Sequence, residues 1–421
     1  MEQSLEEAVR IHAKPFGSPA DLAPILEAIG DAKIVMLGEA SHGTSEFYTV
    51  RAELSKRLIQ EKGFSLIAVE GDWPSSHQVN RFIKGYGHEG KTAHEVLQAF
   101  SRWPTWMWAN EEIADFIVWL KEHNMQSDAK TGFYGIDIYS LWESMDEIVH
   151  HLTHTDPDGG DLELAKAAFS CFEPFNRKSD SYSIASANFS AACVDEVSKL
   201  LASIRANQEH YQDEQEGDLN LGINALVAKN AEDYYRSVMK SGEISWNIRD
   251  EHMVEAINEV RDYHGKDAKI IIWEHNTHIG DARATDMRND GMLNVGQVLR
   301  EQNRPEDLFA VGFGTYQGTV IASEAWGIPH EVMEVPPART NSWEEILHRT
   351  GAHDKYLIFD SDNFSAFDRW TGHRAIGVVY NPEHEAYGNY VPSRISRRYD
   401  AFIFINETKA LDPVPVKHTI E

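Results

Sequence analysis

Lys33-Ile34-Val35-Met36-Leu37-Gly38-Glu39-Ala40-Ser41-His42-Gly43 is the stretch on which the reading of the chain turns. Four apolar residues in a row stop at Gly38. Glu39 and His42 follow, with a second glycine behind them. A short apolar run without polar alternation reads as a strand buried on both faces, the habit of a parallel sheet. In open α/β sheets, ligands bind beyond the carboxyl ends of the strands. Glu39 and His42 therefore stand where such a fold does its chemistry.

Similar runs recur outward from this one. Strands are expected at 33–39, 66–71, 132–138, 269–275, 308–314, 318–323, 355–360, 375–380 and 401–406. The first four are separated by helical patterns, which predicts βα units and a parallel sheet. Thr44 or Ser45 caps a helix that runs to Lys62 and stops at Gly63, with Phe47, Val50, Leu54 and Leu58 as its apolar stripe. Residues 76–125 read as helical again. From 141 to 263 the β-branched runs vanish, and charged stretches alternate with Ala, Leu and Val at helical spacing. The expected fold is α/β, with a mostly parallel central sheet flanked by helices. Residues 1–140 and 262–421 form the core, and 141–261 form a helical insertion.

The ends of the expected strands carry ionisable residues. One run ends in Glu39, a second in Glu70 and then Asp72, a third in Asp137, and a fourth in Glu274 and His275 with His278 three further on. If the strands are parallel, these ends meet at one edge. A neutral histidine near carboxylates is held in one tautomer and serves as a general base near neutral pH. A second histidine and a glutamate then orient a water or stabilise charge. Arg51 sits in the apolar stripe between Phe47 and Leu54, and an inward arginine needs a carboxylate, Glu39 or Glu70. Glu39, His42, Glu70 and His275 also have the donor types of a divalent-metal site with an open position. Trp103, Trp106 and Trp108 are candidates to wall an apolar pocket, against the plainer reading of packing between helices.

Composition narrows the classes. The 421 residues carry a formal net charge of -28, which argues against nucleic acid and anionic membrane surfaces as partners. No apolar run approaches the roughly 20 residues of a membrane span, and no signal-peptide pattern opens the chain. A reducing cytoplasm is expected, with Cys171 and Cys193 as buried thiols rather than a bridge. The chain has no Gly-x-Ser-x-Gly elbow, no His-Glu-x-x-His helix and no Cys-x-x-Cys pair, and no phosphate-binding glycine loop follows a strand.

Gly38-Glu-Ala-Ser-His-Gly43, Val69-Glu-Gly-Asp72 and Trp273-Glu-His-Asn-Thr-His278 together resemble the erythromycin esterase family. Phe133-Tyr-Gly-Ile-Asp137, Asn247-Ile-Arg-Asp250, Thr315-Tyr-Gln-Gly318, the stretch from Arg374 to Glu383, and Arg398-Tyr-Asp400 follow in the family's order. The resemblance implies an α/β core with an added helical domain. It implies hydrolysis of a small-molecule ester, a macrolide lactone among the candidates, by a histidine acting on water without a covalent acyl-enzyme. By motif match that base is His42, with Glu39, Arg51, Glu70 and His275 as its catalytic companions. His278, Asp72, Asp137, Trp106 and Tyr316 are the candidates for substrate contact. No cofactor is implied. The alternatives are a metal-dependent hydrolase using the same cluster, or a relative that binds a ligand without turning it over. Glu274 stands where the family often has alanine.

Overall fold

The strands are Lys14–Pro15 (β1), Ile34–Leu37 (β2), Leu66–Asp72 (β3), Gly132–Asp137 (β4), Ile270–Trp273 (β5), Leu308–Ala322 (β6), Glu331–Val335 (β7), Lys355–Ile358 (β8), Trp370–Arg374 (β9), Tyr390–Arg394 (β10) and Ala401–Thr408 (β11). They are seen in a computed structural model that describes residues 4–87, 90–189, 193–213 and 215–416. Nine of them form one sheet in the order β1-β8-β11-β6-β2-β5-β3-β4, with β7 paired to β6. From β11 to β4 every neighbouring pair is parallel. The antiparallel pairs are β1 with β8, β8 with β11, and β7 with β6.

The order explains why separate stretches of sequence share one site. β5 lies between β2 and β3, so the chain that follows each of these strands, and β4, emerges along one edge of the sheet. Ile34–Leu37 and Ile270–Trp273 are buried on both faces. Ile34 and Ile270 belong to one apolar core, and Val35 and Ile271 to the other. The helix Ser45–Lys62 returns over the second core. Phe47, Leu54 and Leu58 are buried along it, and Gly63 ends it in the left-handed conformation.

Between β4 and β5 the described residues from Leu141 to His264 are mostly helical, with Gly217–Val238 and Gly242–His264 the longest helices. Leu226 and Ile257 on these two helices share the apolar core of Ile34, Ile270 and Tyr134. The helices therefore roof one face of the sheet. No helix among the described residues is long and apolar enough to cross a membrane.

Three expectations need correction. Cys171 and Cys193 are not free thiols: they form a disulfide, with Cα atoms 5.9 Å apart. The helix Ser179–Phe189 lies between them in sequence, and spacing alone could not reveal that their ends come together. Residues 308–314 and 318–323 are not two strands but one, β6, whose first part pairs with β2 and whose last part pairs with β7. Residues 375–380 are not a strand. They touch the sheet edge only through isolated bridges from Ser41 to Ile376 and from Ser323 to Val379, and the regular pairing in that region is β9 with β10.

Candidate active site

Two glycines allow the chain to turn after β2. A Cβ on Gly38 would lie 2.2 Å from the Asn276 side-chain oxygen, and one on Gly43 would lie 1.9 Å from the Ile321 carbonyl oxygen. The first glycine admits the loop after β5. The second lets the turn press against β6. Between them, Glu39 and His42 are buried at the end of β2.

Glu39 is gripped from two sides. Its Oε1 meets His42 Nδ1 at 2.8 Å, and its Oε2 accepts from Arg51 Nη2 at 2.5 Å. Arg51 is fully buried, and its guanidinium lies over the rings of Tyr48 and Trp273, 4.5 and 4.7 Å from their centroids. Arg51 thus takes Glu39, one of the two partners its spacing allowed. With Nδ1 engaged, the second nitrogen of His42 faces the cleft, 3.9 Å from Glu70 Oε1. Burial works against a charged ring, but Glu70 and then Glu39 outweigh it and raise the His42 pKa above the ordinary imidazole value.

Glu70 is held from the other side of the sheet edge. Its Oε2 accepts the His275 backbone N–H at 2.8 Å, and its Oε1 accepts from Arg249 Nη2 at 2.7 Å. Burial would raise its pKa, yet His278, His42 and Arg249 hold it well below the usual carboxylate range. Arg249 also donates to both Asp137 oxygens, at 2.9 and 2.7 Å. His278 Nδ1 meets Asp250 Oδ1 at 2.9 Å, its Nε2 lies 3.1 Å from Arg249 Nη1, and its ring stacks on Trp246 with centroids 4.6 Å apart.

His275 backs His42, with ring centroids 4.9 Å apart. Its Nδ1 meets Thr277 Oγ1 at 2.8 Å and accepts the Thr277 backbone N–H at 3.3 Å, which places the ring hydrogen on Nε2. Burial and then the His42 ring push its pKa well below the usual value, so His275 is neutral.

The structure thus brings Glu39, His42, Arg51, Glu70, Asp137, His275 and His278 together. Asp72 stands on the same cleft, paired with Arg102, and burial raises its pKa to about 6. Two residues named from the sequence lie elsewhere. Trp106 is buried in the core, and it is Trp103 and Trp108 that line the cleft. Tyr316 stacks on His348 at 3.6 Å and is not among the cleft residues. Arg249 and Asp250 were not singled out as site residues, and the signal for them was Asn247-Ile-Arg-Asp250 in the family order.

The cleft is half open to solvent and offers about 130 Å³ of space. His42, Glu70, Asp137 and Arg249 form its polar wall, and Phe100, Trp103, Trp108, Tyr139 and Trp326 are rings on its other walls. No group of three or more His, Cys, Asp or Glu side chains among the described residues is arranged to hold a metal. Glu39 is already shared by Arg51 and His42, and His275 Nδ1 is taken by Thr277.

The erythromycin esterase family profile matches residues 59–408. Erythromycin esterase type II of Escherichia coli is 26% identical over 370 residues, covering 80% of this chain and 83% of that protein. A putative hydrolase of Bacillus subtilis, YbfO, is 21% identical over 96% of this chain and 91% of its own length. Among solved structures, a Bacillus cereus protein superposes with a TM-score of 0.79 at 18% identity, covering 97% of this chain and 98% of that one. An erythromycin esterase, EreC, in its open conformation superposes at 0.65 and 15% identity, with 97% of both chains covered. The fold and the site define an α/β protein with a buried carboxylate–histidine centre at a sheet edge. The chain belongs to the erythromycin esterase family, and membership supports a hydrolase.

Proposed function

We propose that the protein hydrolyses a carboxylic ester by direct attack of water, with His42 as the general base. The observation that carries this reading is the His42 ring, with Nδ1 fixed on Glu39 and Nε2 turned to the cleft beside Glu70. A gap of 3.9 Å between Nε2 and Glu70 Oε1 is too long for a direct hydrogen bond, so the Nε2 lone pair is left for a water in the cleft.

In the first step the water oxygen bonds to the ester carbonyl carbon while its proton passes to His42 Nε2. The carbonyl π electrons move onto oxygen. In the second step the tetrahedral species expels the alcohol oxygen, which takes the proton from His42, leaving the acid and the free base. Glu39 and Glu70 stabilise the transient imidazolium. The neutral His275 beside it adds no opposing charge. No serine or cysteine nucleophile is needed, and no metal takes part.

The test is hydrolysis of a panel of esters, erythromycin among them, by the wild type and by His42→Ala. Activity that survives the substitution would sink the assignment. Activity that falls with a chelator and returns with a divalent ion would replace it with metal-assisted hydrolysis.

A further inference from the structure

A cavity of about 150 Å³ holds one benzene molecule, whereas pockets for drug-sized ligands run from about 300 to 1,000 Å³. The cleft beside His42, at about 130 Å³, belongs with the first. Its roof is built from two distant parts of the chain. Trp103 and Trp326 meet with ring centroids 4.5 Å apart, and Trp103 Nε1 donates to the Ile328 carbonyl at 2.9 Å. Deeper in, Trp108 Nε1 donates to the Glu70 carbonyl at 2.9 Å, which fixes that ring against the polar wall.

The charges are already paired. Arg249 is bound by Asp137 and Glu70, and Arg102 by Asp72. Neither guanidinium is left for a carboxylate on the substrate, and an anion entering would face Glu70 and Asp137. Flat walls favour a flat guest, because stacked and edge-on ring contacts add to the area buried.

On the reading that the site cleaves esters, we infer that its substrate is a small, uncharged ester with one aryl-sized arm. That arm lies among Trp108, Tyr139 and the Trp103–Trp326 roof, which excludes a macrolactone ring. The two tryptophans of the roof are then the specificity-determining residues.

The experiment compares phenyl acetate, methyl benzoate, 4-carboxyphenyl acetate and erythromycin as substrates of the wild type and Trp326→Ala. It also titrates both proteins with benzyl alcohol, a neutral aryl probe that cannot be hydrolysed, followed by tryptophan fluorescence. Trp326 is 64% exposed, so its truncation leaves the core intact. The wild type is expected to favour an aryl ester over its carboxylated counterpart by about a hundredfold in kcat/KM, the order expected for bringing in an unpaired charge. Erythromycin should not be turned over. Trp326→Ala should lose about tenfold on the aryl esters, the scale of a lost apolar contact, and should accept bulkier esters. Comparable turnover of erythromycin by the wild type, or preference for the carboxylated ester, would overturn the inference. If no ester is cleaved at all, the esterase reading fails and the titration decides the rest. Saturable quenching by benzyl alcohol that weakens in Trp326→Ala upholds the aryl pocket, and its absence overturns it.

Discussion

Two carboxylate–histidine pairs face each other across the end of the sheet, and they are built differently. On one side Arg51, Glu39 and His42 form a line that ends in a free imidazole nitrogen at the cleft. On the other, Asp250 and His278 form a similar pair, but the line is closed: Arg249 Nη1 lies 3.1 Å from His278 Nε2 and Glu70 Oε1 lies 3.5 Å from it. A base needs a nitrogen that substrate or water can reach. His42 has one and His278 does not. The second pair instead fixes Arg249 and Glu70, the groups that set the charge around the first.

The largest effect expected from this difference is kinetic. His42→Ala should lower kcat/KM by about 10²- to 10⁴-fold, the usual contribution of a general base, and should cost less stability than His278→Ala because Glu39 keeps Arg51 as an ion-pair partner. His278→Ala should do the reverse in emphasis. It leaves Asp250 buried with only the Val295 backbone N–H at 3.0 Å, and a buried acceptor stripped of its partner costs about 1–3 kcal/mol or more when charged. Thermal melts and kcat/KM measured on both variants check the comparison. It breaks if the two lose rate and stability in equal proportion.

Next in size is the arginine behind each pair. Removing one partner of a buried ion pair costs about 3–5 kcal/mol. Arg51→Ala strands Glu39, which is 1% exposed, and should reduce stability on that scale along with activity. Full stability by denaturant titration would show that Glu39 is not relying on Arg51.

His42 also titrates in a way that reports on its line. Its pKa is raised, so the charged, inactive form persists to higher pH, and the rate should rise with pH through a midpoint above 6.5. Glu39→Gln removes one of the groups that raise it, and the midpoint should move down. A profile flat from pH 5 to 8, or a midpoint unmoved in the variant, would separate His42 from the rate.

What could be read in advance follows the same division. The first line was legible because its parts are close in sequence and obey local rules: a strand end, a residue three positions on, and an arginine out of place in an apolar stripe. That β2, β3, β4 and β5 run parallel followed from apolar runs spaced by helices, whereas their order in the sheet did not. The second line was less legible. Arg249 and Asp250 lie inside the helix Gly242–His264, where an arginine beside an aspartate reads as a solvated face, and their partners Asp137 and His278 lie far off along the chain. Trp326 was hidden for the same reason, since only the fold brings the β6–β7 turn over the cleft, against Trp103. Trp106 shows the converse: an aromatic cluster gives no direction to its rings, and this one points into the core.

Glu274 sharpens the comparison at its smallest scale, from behind the second pair. It is fully buried, and neither carboxyl oxygen has a hydrogen-bond partner among the described residues. Burial first, then Glu70 and Asp250, raise its pKa well above the ordinary carboxylate value. The folded protein therefore holds a proton that the unfolded chain releases above that pH. Stability drains away as pH rises from the unfolded value toward the folded one. Glu274→Ala, which puts the family's frequent residue at this position, removes that proton and leaves only a constant cavity cost. The difference in melting temperature, variant minus wild type, should climb steadily from pH 5 to pH 8. Because Glu274 touches neither His42 nor the cleft, kcat/KM should change little over the same range. A difference in melting temperature that is the same at every pH would mean that Glu274 is ionised in the fold, and that the charge balance drawn for the second pair lacks a cation.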